Sequence, residues 1–106
     1  MAEQDTFTKL SQFVASRDWD QFHSVENLSK SISIEAGELL ELFQWGQDPE
    51  RERLIDELAD VLTYGYLLAQ KIGVSPEAII LKKLEKTAEK YPIEKSKGNS
   101  KKYDRL

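Results

Sequence analysis

The sequence contains no cysteine and a single histidine. Without cysteine there is no disulfide framework, no thiolate chemistry and no zinc site of the finger type. One histidine leaves catalytic triads and His-rich metal sites with almost nothing to draw on. No apolar run reaches the roughly 18 residues that a membrane span needs. The nearest candidate, 58–72, carries Asp60 and Gln70 inside it. Excess positive charge is also missing: the net charge is −4, which argues against a broad nucleic-acid surface. The expectations are therefore no nucleic-acid partner, no membrane partner and a cytoplasmic location.

What is present suits one small globular domain. The chain has 106 residues, 40% hydrophobic and 32% charged, a balance that argues against general disorder. The charge is uneven. Residues 1–92 hold 10 Lys+Arg against 17 Asp+Glu, a balance of −7, while residues 93–106 carry +3. The expected organisation is an all-α domain over 1–92 and a basic C-terminal tail over 93–106. The tail reads either as a solvated end or as a segment that binds an anion.

Helix signals dominate, and no stretch alternates like a strand. A first helix is expected from about Asp5 or Thr6, with Phe7, Leu10, Phe13 and Val14 on one face, ending before Arg17. Ser24 is a plausible N-cap for a second helix over 25–45, with Leu28, Ile32, Leu39, Leu42 and Phe43 on its apolar side and Gly46 as its stop. Asp48-Pro49 is the expected start of a third helix through Leu54, Leu58, Val61, Leu62 and Leu68, with Gly73 ending it. Ser75-Pro76-Glu77 repeats that start signal for a fourth helix, which Pro92 closes. The fold class is all-α, a four-helix bundle. A chain of this length has a thin core and wide apolar faces, which self-association would cover.

The second and third expected helices carry the chemistry. Residues three apart on a helix converge on one face. Glu35 with Glu38 forms one such pair, and Glu57 with Asp60 forms another. Antiparallel packing would gather all four carboxylates. Such a cluster is tolerable in a small volume only if a cation neutralises it, and oxygen-only ligands suit Mg²⁺, with Mn²⁺ possible. A di-iron carboxylate bundle would want Glu-x-x-His pairs, and His23 does not stand three after any Glu. Against this reading, Glu-x-x-Glu also occurs on ordinary solvated helices. Both pairs, however, lie mid-helix among apolar residues.

The segments RDWDQFH (17–23), EAGELLELFQW (35–45), DELADVLTY (56–64) and Lys83 through Pro92, with Lys101-Lys102-Tyr103, together resemble the MazG-like all-α nucleotide pyrophosphohydrolases. They are most similar to the dCTP pyrophosphatase branch. The resemblance covers about residues 8–106. It implies a helical bundle assembling as a homodimer or homotetramer. It also implies Mg²⁺-dependent cleavage of a nucleoside triphosphate, dCTP or a related dNTP, to the monophosphate and pyrophosphate. Glu35, Glu38, Glu57 and Asp60 match the family's metal ligands, with Glu35 and Glu38 as the catalytic pair and Glu35 as the proposed base. Trp19, Phe22, His23 and Trp45 match positions near the nucleobase, where flat rings can stack. Tyr64 would meet the sugar, and Lys83, Lys101 and Lys102 would meet phosphate charge. One departure stands at Thr87, where relatives often carry Asn. Thr offers one hydroxyl in place of a carbonyl and an amide. The alternative functions are a non-catalytic dimeric adaptor and a metal-binding protein without turnover.

Overall fold

Two serines define helix starts as the sequence suggests. In the computed structural model, which describes residues 2–106 and side chains from Thr6 onward, Ser24 Oγ accepts from the Asn27 N–H at 3.0 Å. Ser75 Oγ likewise accepts from the Ala78 N–H at 3.3 Å, with Pro76 in the first turn. Each bond satisfies a backbone donor that the helix itself leaves open. The main helices are α1 (Ala2–Ser16), α2 (Val25–Glu41), α3 (Arg51–Lys71) and α4 (Pro76–Lys90). A one-turn α5 (Ile93–Ser96) follows, and short 3₁₀ turns occupy Asp20–Phe22 and Tyr103–Arg105. No strand occurs among the described residues, so the class is all-α with four long helices. Among the described residues, no helix is long and apolar enough to cross a membrane.

Three boundaries differ from the sequence reading. α1 already runs from Ala2. α2 ends at Glu41 rather than at Trp45. Beyond it the backbone tightens, with Leu42, Phe43 and Gln44 N–H groups donating three residues back to Leu39, Leu40 and Glu41. Bonds of that type mark the last turn of many helices. Gly46, at φ +75°, then reverses the chain. α3 starts at Arg51, and its N-cap is Glu50, with no side-chain cap bond. Glu50 is extended at ψ 138°, so Asp48 and Pro49 form a lead-in and Pro49 is not the first helical residue.

The chain divides into two compact units, 1–74 and 75–106. In the first unit α3 packs on both α2 and α1. Val14 of α1, Leu28 of α2 and Leu67 of α3 form its buried core, with Leu10, Tyr64 and Leu68 packed against it. Leu28 is the most enclosed, at 1% exposure. Burying a side chain of this size contributes about 1.5–3 kcal/mol. Leu28 clusters with Leu67, Glu35 shares a cleft with Asp60, and Glu38 meets Glu57 in one acidic cluster. Numbers rise along α2 as they fall along α3, so the two helices run antiparallel. The apolar stripes read from the sequence are wider than this core: Phe13, Ile34, Leu40, Phe43, Leu58 and Leu62 remain exposed.

In the second unit the basic segment is structured. The Tyr103 N–H donates to the Tyr91 hydroxyl at 3.2 Å, and the two rings meet edge to face at 6.2 Å. The Lys90 ammonium lies 4.7 Å from the Tyr103 ring centre. The Asn99 amide donates to the Lys95 carbonyl, and its Oδ1 accepts from the Lys101 N–H.

Candidate metal and catalytic centre

The antiparallel α2–α3 pair gathers the four carboxylates. One oxygen from each of Glu35, Glu38, Glu57 and Asp60 lies within 4.8 Å of the others. Glu35 and Glu57 are half-buried, while Glu38 and Asp60 reach solvent. A hydrogen bond with Glu38 raises the Glu35 carboxyl to about 7, and burial and the charges of Glu38, Asp60 and Glu57 push the same way. Glu57 is raised chiefly by burial, then by the Glu38 and Asp60 charges and its bond with Glu38, against a lowering pull from Arg53. Glu35 Oε2 and Glu57 Oε2 are both buried without a hydrogen-bond partner. Buried oxygens of this kind normally find a donor or a cation. Four hard oxygen donors with two such orphans fit a hard divalent cation of the Mg²⁺ or Mn²⁺ type.

A cleft of about 360 Å³ opens beside the cluster, with Glu35 and Asp60 in its wall. Trp19, His23 and Tyr64 line it as well, so three of the residues assigned to substrate contact by resemblance meet two of the carboxylates. Phe13 and Thr63 join them. Phe13 lies edge-on to Trp19, with ring centres 5.7 Å apart and planes at 72°. Thr63 donates its hydroxyl to the Ala59 carbonyl at 2.7 Å, which leaves its oxygen free to accept. A larger cavity, about 440 Å³, shares Val14, His23 and Leu67 with this cleft. Besides His23, its polar groups are Ser11, Asp20, Gln70 and Lys71, and none of the four carboxylates lines it.

Two other expected contacts in this unit, Phe22 and Trp45, are not part of the cleft lining. Phe22 is exposed and does not line the cleft; its carbonyl accepts from the Asn27 amide at 2.9 Å. Trp45 stands on the turn after α2, 81% exposed and also outside the cleft lining. Lys83 and Thr87 belong to the second unit, where they line a shallow groove with Ile79, Ile80 and Leu84. Thr87 donates its hydroxyl to the Lys83 carbonyl at 3.1 Å. Lys101 and Lys102 are exposed in the same unit. Sequence reasoning missed Thr63 as a cleft residue, and it placed Phe13 on the apolar face of α1 without assigning it to a site.

Residues 30–106 match the model of the MazG-like family. The chain belongs to that family. Among MazG-like relatives, it is 38% identical to dCTP pyrophosphatase 1 of Rattus norvegicus and 40% identical to dCTP pyrophosphatase 1 of Homo sapiens. Each match covers 91% of this chain and 62% of the relative, so the chain spans less than two thirds of their length. Among solved structures it is similar to a pyrophosphatase from Archaeoglobus fulgidus, with a TM-score of 0.82 and 34% identity. That likeness covers 87% of this chain and 94% of the other.

Proposed function

We propose that this MazG-like protein is a nucleoside triphosphate pyrophosphohydrolase that depends on Mg²⁺, or Mn²⁺ in its place, and acts on dCTP or a related dNTP. The observation that carries the reading is the four-carboxylate cluster with its two orphaned buried oxygens, open to a cleft that presents Trp19. The relatives named dCTP pyrophosphatase 1 support the choice of substrate.

Glu35, Glu38, Glu57 and Asp60 would hold the cation, which when bound would neutralise phosphate charge and make water more acidic. Water attack at the α-phosphorus breaks the bond to the β-phosphate bridge and releases the monophosphate and pyrophosphate. Glu35 is the base in this scheme, because it lines the cleft where the water must stand. Glu38 orients Glu35 through their hydrogen bond. Trp19 offers a flat face to the base, with Phe22, His23 and Trp45 as further contacts around it, and Tyr64 would meet the sugar and disfavour a 2′-hydroxyl. Lys83, Lys101 and Lys102 would meet phosphate charge, and Thr87 would tune preference.

Assembly as a homodimer or homotetramer belongs to the same proposal. It is supported by exposed apolar side chains such as Ile34 and Leu40 on α2 and Ile55, Leu58 and Leu62 on α3. So does action in the cytoplasm, supported by the absence of cysteine. Separating the products of dCTP with Mg²⁺ tests the reaction. Deoxycytidine monophosphate with pyrophosphate is the expected pair; the diphosphate with inorganic phosphate would place the cleavage elsewhere and overturn the reading.

A further inference from the structure

Outside the carboxylate cluster, one small group of side chains has a geometry that packing alone does not require. α1 ends in a left-handed cap: Asp18 takes φ +54°, its N–H donates to the Ala15 carbonyl at 3.1 Å, and the Trp19 N–H donates to the Val14 carbonyl at 3.0 Å. This is the paired bonding of a Schellman motif, in which glycine is the usual left-handed residue. Here an aspartate holds the position. The Gln21 amide donates to both its carbonyl and its carboxylate, each at 3.0 Å. The motif aims Trp19 back at Phe13, one turn up the helix.

Both rings stand at the rim of the cleft, Phe13 at 47% exposure and Trp19 at 44%, so neighbouring atoms cover only part of each. Arg17 supplies the missing restraint. Its guanidinium lies over the Phe13 face, 3.6 Å from the ring centre, and 6.0 Å from the Trp19 ring. Nη1 also donates to the Phe13 carbonyl at 3.2 Å and to Ser16 Oγ at 3.1 Å. Arg17 does not itself line the cleft. We infer that Arg17 is a positioning residue for nucleotide binding: clamped on Phe13, it fixes the edge against which Trp19 rests, and so holds the indole where a base can stack. This assignment rests on the proposed nucleotide reading of the cleft. A fixed stacking platform binds better because less side-chain freedom is lost when the ligand arrives.

Two measurements test it, one without nucleotide. In a Trp45→Phe background the fluorescence reports Trp19 alone. Arg17→Ala should shift that emission to the red and increase acrylamide quenching about twofold, as the ring loosens. Arg17→Lys, the milder change should Arg17→Ala fail to fold, should move both in the same direction, because a lysine cannot form the flat stack. Unchanged emission and quenching in a folded variant would overturn the clamp. The second measurement is a double-mutant cycle on dNTP turnover in the otherwise natural chain. Arg17→Ala should raise KM about fivefold with kcat within about twofold, and add nothing once Trp19→Ala is present. Penalties that add in full would show Arg17 acting independently of Trp19, by touching the nucleotide itself, and would also overturn the inference. If the natural protein turns over no nucleotide, the reading of the cleft fails, while the fluorescence still decides the clamp.

Discussion

Glu38 hydrogen-bonds Glu35 one helical turn away, and that bond is the first reason the Glu35 carboxyl rises to about 7. Two carboxyls share a hydrogen bond when one of them keeps a proton. A cation held by the same carboxylates would compete with that proton, so stability, metal binding and pH are linked.

The first prediction follows from that linkage. A raised carboxyl binds more protons in the folded chain than in the unfolded one, so its contribution is fully present below 4.5 and is lost as pH rises through about 7. Glu57 acts in the same direction. In EDTA, the melting temperature should fall between pH 5 and pH 8. A melting temperature that climbs over that range would mean the two carboxyls are not held up by their neighbours.

Adding Mg²⁺ at pH 8 should reverse the loss. A cation at ten times its dissociation constant stabilises the folded state by about 1.4 kcal/mol. For a chain of this size that is a rise of roughly 5–10 °C in melting temperature. Glu57→Gln should abolish the rise while itself melting higher than the natural protein in EDTA, since it removes an uncompensated charge. Equal Mg²⁺ shifts in the two proteins would take Glu57 out of the binding set.

How much of this was legible in the sequence depends on which force sets each feature. The carboxylate pairs were legible because three-residue spacing on a helix is a matter of geometry alone. The Ser24 and Ser75 caps were equally local, whereas the end of α2 was not: Leu42 and Phe43 continue its apolar pattern, yet the backbone tightens and leaves the helix before them. Leu67 and Ala69, which are buried, escaped the periodic reading because the α3 stripe is broad and burial depends on which helices cross it. The cleft was the least legible. Trp19, His23 and Tyr64 were tied to it only by resemblance. Phe13 was legible only as a member of the α1 apolar face, and an apolar residue on a stripe carries no sign that its ring will stop at a rim.

The core is thin enough to be fragile. Leu28→Ala removes its most enclosed side chain and should cost about 2–5 kcal/mol, a large share of the roughly 5–15 kcal/mol available to a small domain. Urea denaturation of the variant measures it. A loss under about 1 kcal/mol would show that the three-helix core is not what holds the first unit together.

Thr87 spends its hydroxyl proton on the Lys83 carbonyl, so toward a ligand it offers an acceptor and no donor. Thr87→Asn supplies an amide donor and should change the ratio of kcat/KM between dCTP and the other dNTPs by about tenfold or less, a hydrogen bond's worth, with the helix content unchanged. Identical ratios in the two proteins would remove Thr87 from the specificity determinants.

Leu40 is 72% exposed on α2, and an apolar side chain in a row of such residues is expected at a subunit contact. Sedimentation of the natural protein should give a dimer or tetramer, and Leu40→Glu should shift the mass downward. A monomer at every concentration tested would refute the assembly reading.

The most direct test of the central claim is pyrophosphate release from dCTP and the other dNTPs. It should be compared in the natural protein with Mg²⁺, in the same protein with EDTA, and in Glu38→Gln and Glu41→Gln. Glu38 is in the cluster; Glu41, one turn on along α2, is not. The expected release is abolished by EDTA, lowered about 100-fold or more by Glu38→Gln, and left within about threefold by Glu41→Gln. Release that persists undiminished in EDTA or in Glu38→Gln would contradict it.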